Sequence, residues 1–432
     1  MIARNSSDAA RIDMPGGDRD VLRALGEQIA EIAALPRQES SKEMWRRLNS
    51  LDMVKPMILI YQIPWREMVY EDELTLLCSD PFWRAIEQEL RRRLYQWRHM
   101  RADMVVEPLI QIEPVLHGDN FGIGIEELVI TAHPDSGIRS HHYTAQIKDE
   151  GDIKKIKIPK IRYDKARTDA IVAAVSDVFD GLLGVVCGLK FGRYNMAPWD
   201  RLVQWTGVTE ILTDLALRPA YVHRLMERIT QAHEARLDQY SELNLLVPNN
   251  RAVTVGQGGY GYTDELPGKA YDSHRVGCHN LWDGGMAQIF SAVSPEMHEE
   301  FGLDYEIRCM NRFGLVYYGC CEPLHHKVEL ARRKIPRLRK ISMSPKADAR
   351  SGAEAVGDSL VYSCKPSPAF LATDRWQPEA VRADLKHTLD IAAANGCSSE
   401  IILKDISTVS HEPQRLWQWA SVVAELAAEY TG

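Results

Sequence analysis

The sequence has no apolar run long enough to cross a bilayer. Its longest, such as Met57–Ile63 and Leu182–Leu189, fall well short of the ~20 residues a spanning helix needs. The N-terminal MIARNSSDAARIDMPGG lacks the apolar core of a secretory signal, so a soluble, cytoplasmic protein with reduced thiols is expected. Basic excess is missing too. A formal net charge of −8 argues against a general nucleic-acid binder, which carries a basic face, though not against small acidic or neutral substrates. The eight cysteines (78, 187, 278, 309, 320, 321, 364 and 397) show neither a disulfide-framework spacing nor a CxxC pair, and no Walker loop is present. Most of these thiols, Cys187 among them, read as small buried hydrophobes.

What is present is the composition of a globular protein with a large core: 45% hydrophobic and 26% charged residues in 432. Residues 1–18 look loose. Helical spacing covers Asp20–Ala34 and Ser41–Leu51, a strand Met57–Ile63, and a Pro-initiated helix Asp80–Arg101. Strands at Val105–Ile112 and Leu128–Thr131, a helix at Lys165–Asp180, a long amphipathic helix over about Gly207–Gln239 and a strand at Ala252–Gly256 follow. From Gly285 the pattern repeats as five βα units, with strands near 286–290, 315–320, 341–344, 359–364 and 401–406. Repeated βα units without hairpin signals imply a parallel sheet, and the strand count suggests a closed TIM (β/α)8 barrel. With no linker-like segment inside it, residues 55–432 read as one barrel domain behind a mostly helical extension at 1–54.

Barrels of this kind place reactive groups where strands end. The stretch GLVYYGCCEPLHHKVELA (Gly314–Ala331) puts Cys320, Cys321 and Glu322 at such an end, and LVYSCKPSP puts Cys364 at another. Cys321 reads as the N-cap of a helix opened by Glu322 and Pro323, whose dipole would depress the thiol pKa. Two thiolates with a carboxylate or imidazole would suit zinc with one position left open, so Cys321, Cys364 and Glu322 are candidate ligands. Cys320, expected on the opposite side of the strand end, is an alternative ligand, and His325 and His326 read as solvated.

Further candidates lie in loops. Gln62 and Trp65 follow the first strand, and His117 sits in the turn-rich EPVLHGDNFG, where it could meet substrate or act in catalysis. His279 is a further substrate-binding candidate, although it precedes a strand and belongs nearer the other face of a barrel unless its loop folds over. Tyr260 and Tyr262 lie in GQGGYGYTDE, read as an active-site loop rather than a dinucleotide fingerprint.

These motifs resemble the uroporphyrinogen decarboxylase-like superfamily. QIFSAVSPEMHEEF (Gln288–Phe301) is similar to its strand, Ser-Pro and helix segment. YYGCCE is similar to the strand end where the methyltransferase branch has a His-x-Cys zinc motif, and SCKPSP to the end with that branch's second zinc cysteine. Gly207–Ile229 resembles the family's long helix. The decarboxylase's Arg-rich loop is absent from YQIPWREM, Ser291 stands where the decarboxylase has aspartate, and the histidine of His-x-Cys is absent. The resemblance implies a zinc-dependent methyltransferase. It would move methyl from a methoxyaromatic, methylamine or betaine to a separate corrinoid protein, or from that protein to a thiol. Such an enzyme would have zinc as its own cofactor and could form a homodimer. Trp65, Tyr260 and Tyr262 would then receive an aromatic or quaternary ammonium group. The rival expectation is a metal-free carboxy-lyase on a carboxylated small molecule. A corrinoid carrier is disfavoured, because the Asp-x-His-x-x-Gly signature is absent.

Overall fold

The structure, a computed structural model, describes residues 12–131, 139–191, 196–269 and 271–431, so most of the N-terminal stretch read as loose lies outside the described residues. Eight strands run parallel to their ladder partners: Met57–Ile60 (β1), Leu109–Ile112 (β2), Gly184–Cys187 (β3), Trp282–Gly285 (β4), Leu315–Tyr318 (β5), Leu338–Met343 (β6), Val361–Cys364 (β7) and Ser398–Leu403 (β8). Every residue of β1, β4, β5, β7 and β8 is buried, as a parallel sheet covered on both faces requires.

Six strands form one sheet in the order β1-β8-β7-β6-β5-β4, while β2 and β3 pair separately. The closed eight-stranded barrel expected from the sequence is thus realised in part: among the described residues no ladder joins the two sheets. The free edges are satisfied in other ways. At β4, Asn249 imitates a strand, its Nδ2 donating to Trp282 O (2.9 Å) and its Oδ1 accepting from Trp282 N (2.9 Å), while Met196 bridges Gly285. At β1, Asp103 Oδ2 accepts from Ile58 N (2.8 Å) and Gln96 Nε2 donates to Ile60 O (2.8 Å).

Four expected elements differ. The strand expected near 286–290 lies earlier, at Trp282–Gly285, and Gln288–Ala292 is a short 3-10 helix. The strand expected at Ala252–Gly256 is a turn with one bridge, Thr254 to Tyr260, because Gly256 (φ +55°) reverses the chain against Tyr317. The long helix breaks into Val208–Leu217 and Pro219–Glu242, since Pro219 offers no N–H and pushes Arg218 out of helical geometry. The helix expected from Glu322 begins only at Val328.

Two helices, Gly16–Ala33 and Pro36–Asn49, precede β1. The second packs beneath the sheet: Trp45 is fully buried with Met57, Val361 and Tyr260, and Asn49 Nδ2 donates to Tyr260 O (2.9 Å) and Tyr262 O (2.6 Å). Apolar contact, with two backbone carbonyls satisfied by one amide, fixes it there.

Candidate active site

β5 ends at Tyr318, and Gly319 (φ +98°) turns the chain in a conformation that favours glycine; a Cβ there would also strike Leu324. The turn breaks strand alternation, so the sulfurs of Cys320 and Cys321 lie 3.3 Å apart rather than on opposite sides as expected. Cys320 is buried and Cys321 exposed. From the end of β8, Lys404 reaches the same place, its Nζ 3.6 Å from Cys320 Sγ and 3.4 Å from Cys321 Sγ, and it donates to Asp405 Oδ2. Asp405 Oδ2 is itself 3.5 Å from Cys321 Sγ, and Asp405 N donates to Gln62 Oε1 (2.9 Å) beyond β1. Three strand ends, those of β1, β5 and β8, therefore build one cluster.

Its electrostatics separate the two thiols. The hydrogen bond from Cys320 lowers the pKa of Cys321, and the Lys404 ammonium lowers it further against burial and Asp405. Cys320 is driven up by that same bond and by burial, so it keeps its proton. Burial works against the charge on Lys404, but Cys320, Asp405 and Cys321 together outweigh it and push its pKa up. The result is an exposed sulfur whose pKa is lowered by a neighbouring thiol and an ammonium. Its depressed pKa was anticipated, but the cause was not: no helix begins at residue 322, so no helix dipole acts there.

Glu322 lies beneath, fully buried, accepting from Cys320 N (2.8 Å) and Ala287 N (3.3 Å), and it ties the end of β5 to that of β4. Burial raises its pKa. It faces two further carboxyls: half-buried Asp200, pushed up to about 7 by desolvation and by Glu322, and buried Glu306, pushed up to about 8 by burial. Tyr318 Oη donates to Glu306 Oε2 (2.9 Å) and pairs with His298 Nε2 (2.7 Å), while Gln288 Nε2 donates to Asp200 Oδ2 (2.7 Å).

A second polar column runs through the sheet's inner side. Lys340 Nζ donates to Glu400 Oε2 (2.8 Å), and Ser363 Oγ donates to Glu400 Oε1 (2.6 Å). Lys365 Nζ donates to Ser363 Oγ (2.5 Å) and Ser363 O (2.9 Å), and Tyr317 Oη donates to Ser363 Oγ (3.2 Å). Burial pushes Lys365 down to about 7; Glu400 opposes the shift and the Lys404 ammonium adds to it.

Cys364 does not join the sulfur cluster. Side chains alternate along β7, so with Ser363 and Lys365 facing the polar column, Tyr362 and Cys364 face the other way, into the apolar cluster that holds Leu385 and Leu389 of helix Pro378–Ala394. Burial pushes its thiol up to about 12. The expected ligand set is therefore scattered: Cys321 on the rim, Glu322 buried on two backbone amides, Cys364 behind the sheet. Among the described residues no group of three or more histidine, cysteine, aspartate or glutamate side chains is arranged to hold a metal ion. Between the sulfurs and Asp405, the position of a cation is taken by the Lys404 ammonium. These residues do not fit the zinc expected of them.

Other sequence candidates lie elsewhere. Tyr260 and Tyr262 are buried away from the sulfur cluster, Tyr262 Oη donating to Glu107 Oε1 (2.6 Å) and Tyr260 lining a separate cleft with Gln111, Lys190 and Arg251. Trp65 packs edge-on to Tyr95 (5.9 Å) with the Arg92 guanidinium 5.1 Å over its ring, lining a cleft with Gln88 and Lys190. His117 is exposed on a two-residue ribbon near Asp164 (3.9 Å). His279 stands before β4, at the opposite end from Cys321. Of the proposed substrate contacts only Gln62 reaches the cluster. Sequence reasoning missed Lys365, Asp405, Glu400 and Lys404, although a lysine directly after an apolar strand, in VYSCK and IILKD, was a visible signal.

No family model matches the chain, and no curated protein matches it. Among solved structures it is similar to a methyltransferase from Methanosarcina mazei, with a TM-score of 0.48 and 11% sequence identity, over 89% of this chain and 98% of that one. So remote a likeness leaves the reaction to be decided by the residues.

Proposed function

We propose that the chain is a methyltransferase in which the Cys321 thiolate, and not a zinc ion, meets the methyl carbon. The observation that carries the reading is the exposed Cys321 sulfur 3.3 Å from the Cys320 thiol and 3.4 Å from the Lys404 ammonium. A thiolate is the nucleophilic form of cysteine, and positioned partners that lower the thiol pKa favour it. The segments YYGCCE and SCKPSP, similar to the strand ends where the methyltransferase branch has its cysteine motifs, support methyl as the group transferred.

In the step proposed, a sulfur lone pair of Cys321 attacks the methyl carbon and the carbon–heteroatom bond breaks, its electron pair leaving with the heteroatom. A methylated ammonium donor suits this site, because the amine leaves neutral and no acid is needed. When the methyl group is removed, the Cys321 sulfur leaves with the bonding electron pair as the thiolate, which the Cys320 thiol and the Lys404 ammonium stabilise. A corrinoid protein, the partner the resemblance implies, would supply the cobalt nucleophile for that removal. The carboxy-lyase alternative asked for arginines on the rim; the cations meeting at these strand ends are the lysines 365 and 404.

Mass spectrometry tests the reading after incubation with glycine betaine, tetramethylammonium and a methoxyaromatic in turn. One methyl group gained on Cys321, absent in Cys321→Ser and unaffected by a chelator, is expected. Methyl release that a chelator stops, with Cys321 unmodified, would overturn it.

A further inference from the structure

Lys340, Lys365 and Lys404 are all buried, and the acceptors around them are unequally shared. Lys404 has two sulfurs and the Asp405 carboxylate. Lys340 holds Glu400 directly at 2.8 Å. Among the described residues Lys365 touches no carboxylate: its hydrogen bonds run to the carbonyl and hydroxyl of Ser363, and the second oxygen of Glu400 is taken by that hydroxyl. One buried carboxylate neutralises one ammonium, and Lys340 has the direct contact. Lys365 is the amine left over, only 4% exposed and within the field of a second ammonium, Lys404. Burial and a neighbouring cation are the two conditions that make a lysine a neutral nucleophile.

We propose that Lys365 is an amine nucleophile that condenses with the carbonyl carbon of a small aldehyde or keto acid to form an imine. The Nζ lone pair forms the C–N bond while the carbonyl π pair moves to oxygen, which takes up a proton. The proton that Nζ sheds can pass through Ser363 Oγ (2.5 Å) to Glu400 Oε1 (2.6 Å). Loss of the hydroxyl as water completes the imine, so amine plus carbonyl gives imine plus one water, with no oxidant or reductant. Protonated, the imine draws electrons from an adjacent carbon–carbon bond, which is how a 3-oxo acid loses carbon dioxide without a metal. This activity stands apart from methyl transfer, which uses a different nucleophile.

The test is reductive trapping on the full chain near neutral pH, with glyoxylate and acetoacetate as separate probes and sodium cyanoborohydride as hydride donor. Adducts are then mapped by peptide mass spectrometry. The expected result is a secondary-amine adduct on Lys365 with either probe, kept in Cys321→Ser and lost in Lys365→Met. Labelling confined to exposed lysines, or placed on Lys404 with Lys365 unmodified, would overturn the proposal. Because the wild-type map is decisive by itself, the test does not depend on how well Lys365→Met folds.

Discussion

The ends of β5 and β7 each offer a cysteine, and the two thiols meet opposite fates. Past β5, one glycine with positive φ swings Cys321 onto the rim, where the Cys320 thiol and Lys404 lower its pKa. On β7 the alternation continues unbroken, so Cys364 stays behind the sheet, its pKa pushed up to about 12, while the inner face goes to Ser363 and Lys365. The lysines are just as divided: Lys404 is pressed toward the charged state by two sulfurs and a carboxylate, whereas for Lys365 burial outweighs Glu400 and pushes it down to about 7. Residue type did not decide reactivity; the backbone turn and the count of opposing charges did.

The inner column of β6, β7 and β8 should show the largest effect of all. Removing the charge of Glu400 with Glu400→Gln strands Lys340 in the interior, and breaking a buried pair costs about 3–5 kcal/mol. Chemical denaturation would show a correspondingly lower midpoint; an unchanged midpoint would mean the pair is not held as described. Next in size, Lys404→Met should slow alkylation of Cys321 at pH 7 by about tenfold for each pKa unit regained, while Cys364 stays unreactive in both proteins. Equal labelling of the two thiols would erase the contrast between the strand ends.

Cys364→Ala sharpens it from the other side. It should cost about 1 kcal/mol as a small cavity behind the sheet and leave the alkylation rate of Cys321 unchanged. A fall in that rate would mean the two sulfurs communicate. The smallest expected effect concerns Asp200 and Glu306. Their folded pKa values, about 7 and about 8, lie above those of the unfolded chain. The stability they contribute is full below the unfolded carboxylate range and is lost as pH rises through 7 to 8. Glu306→Gln should therefore flatten the stability profile over that window, as thermal unfolding at a series of pH values would show.

Much of this architecture was legible in the sequence, because buried parallel strands read as short apolar runs before Pro-initiated helices, as at Ile401 and Pro413 or Val361 and Pro378. The ends of β1, β5, β7 and β8 were placed closely enough to point to Cys321, Cys364 and Gln62. What the sequence does not encode locally is which face a residue takes after a strand stops. Cys320 and Cys321 share a side because of the conformation at Gly319, and Cys364 is excluded because β7 has no such turn before it. Tyr260 and Tyr262 looked like rim groups, but their glycine-rich segment tucks under the sheet against Trp45. Lys404 and Lys365 matter through partners on other strands, and such pairings emerge only when the sheet forms.

The central claim is that Cys321 is a metal-free thiolate held by Cys320 and Lys404. Its most direct test is the pH dependence of Cys321 alkylation, followed by peptide mass spectrometry with and without a chelator. The account predicts fast labelling that persists below the ~8.5 of an ordinary thiol, falls only as pH drops through the depressed value, and is unchanged by the chelator. Labelling that titrates like a free cysteine, or that accelerates when a bound metal is stripped away, would contradict it.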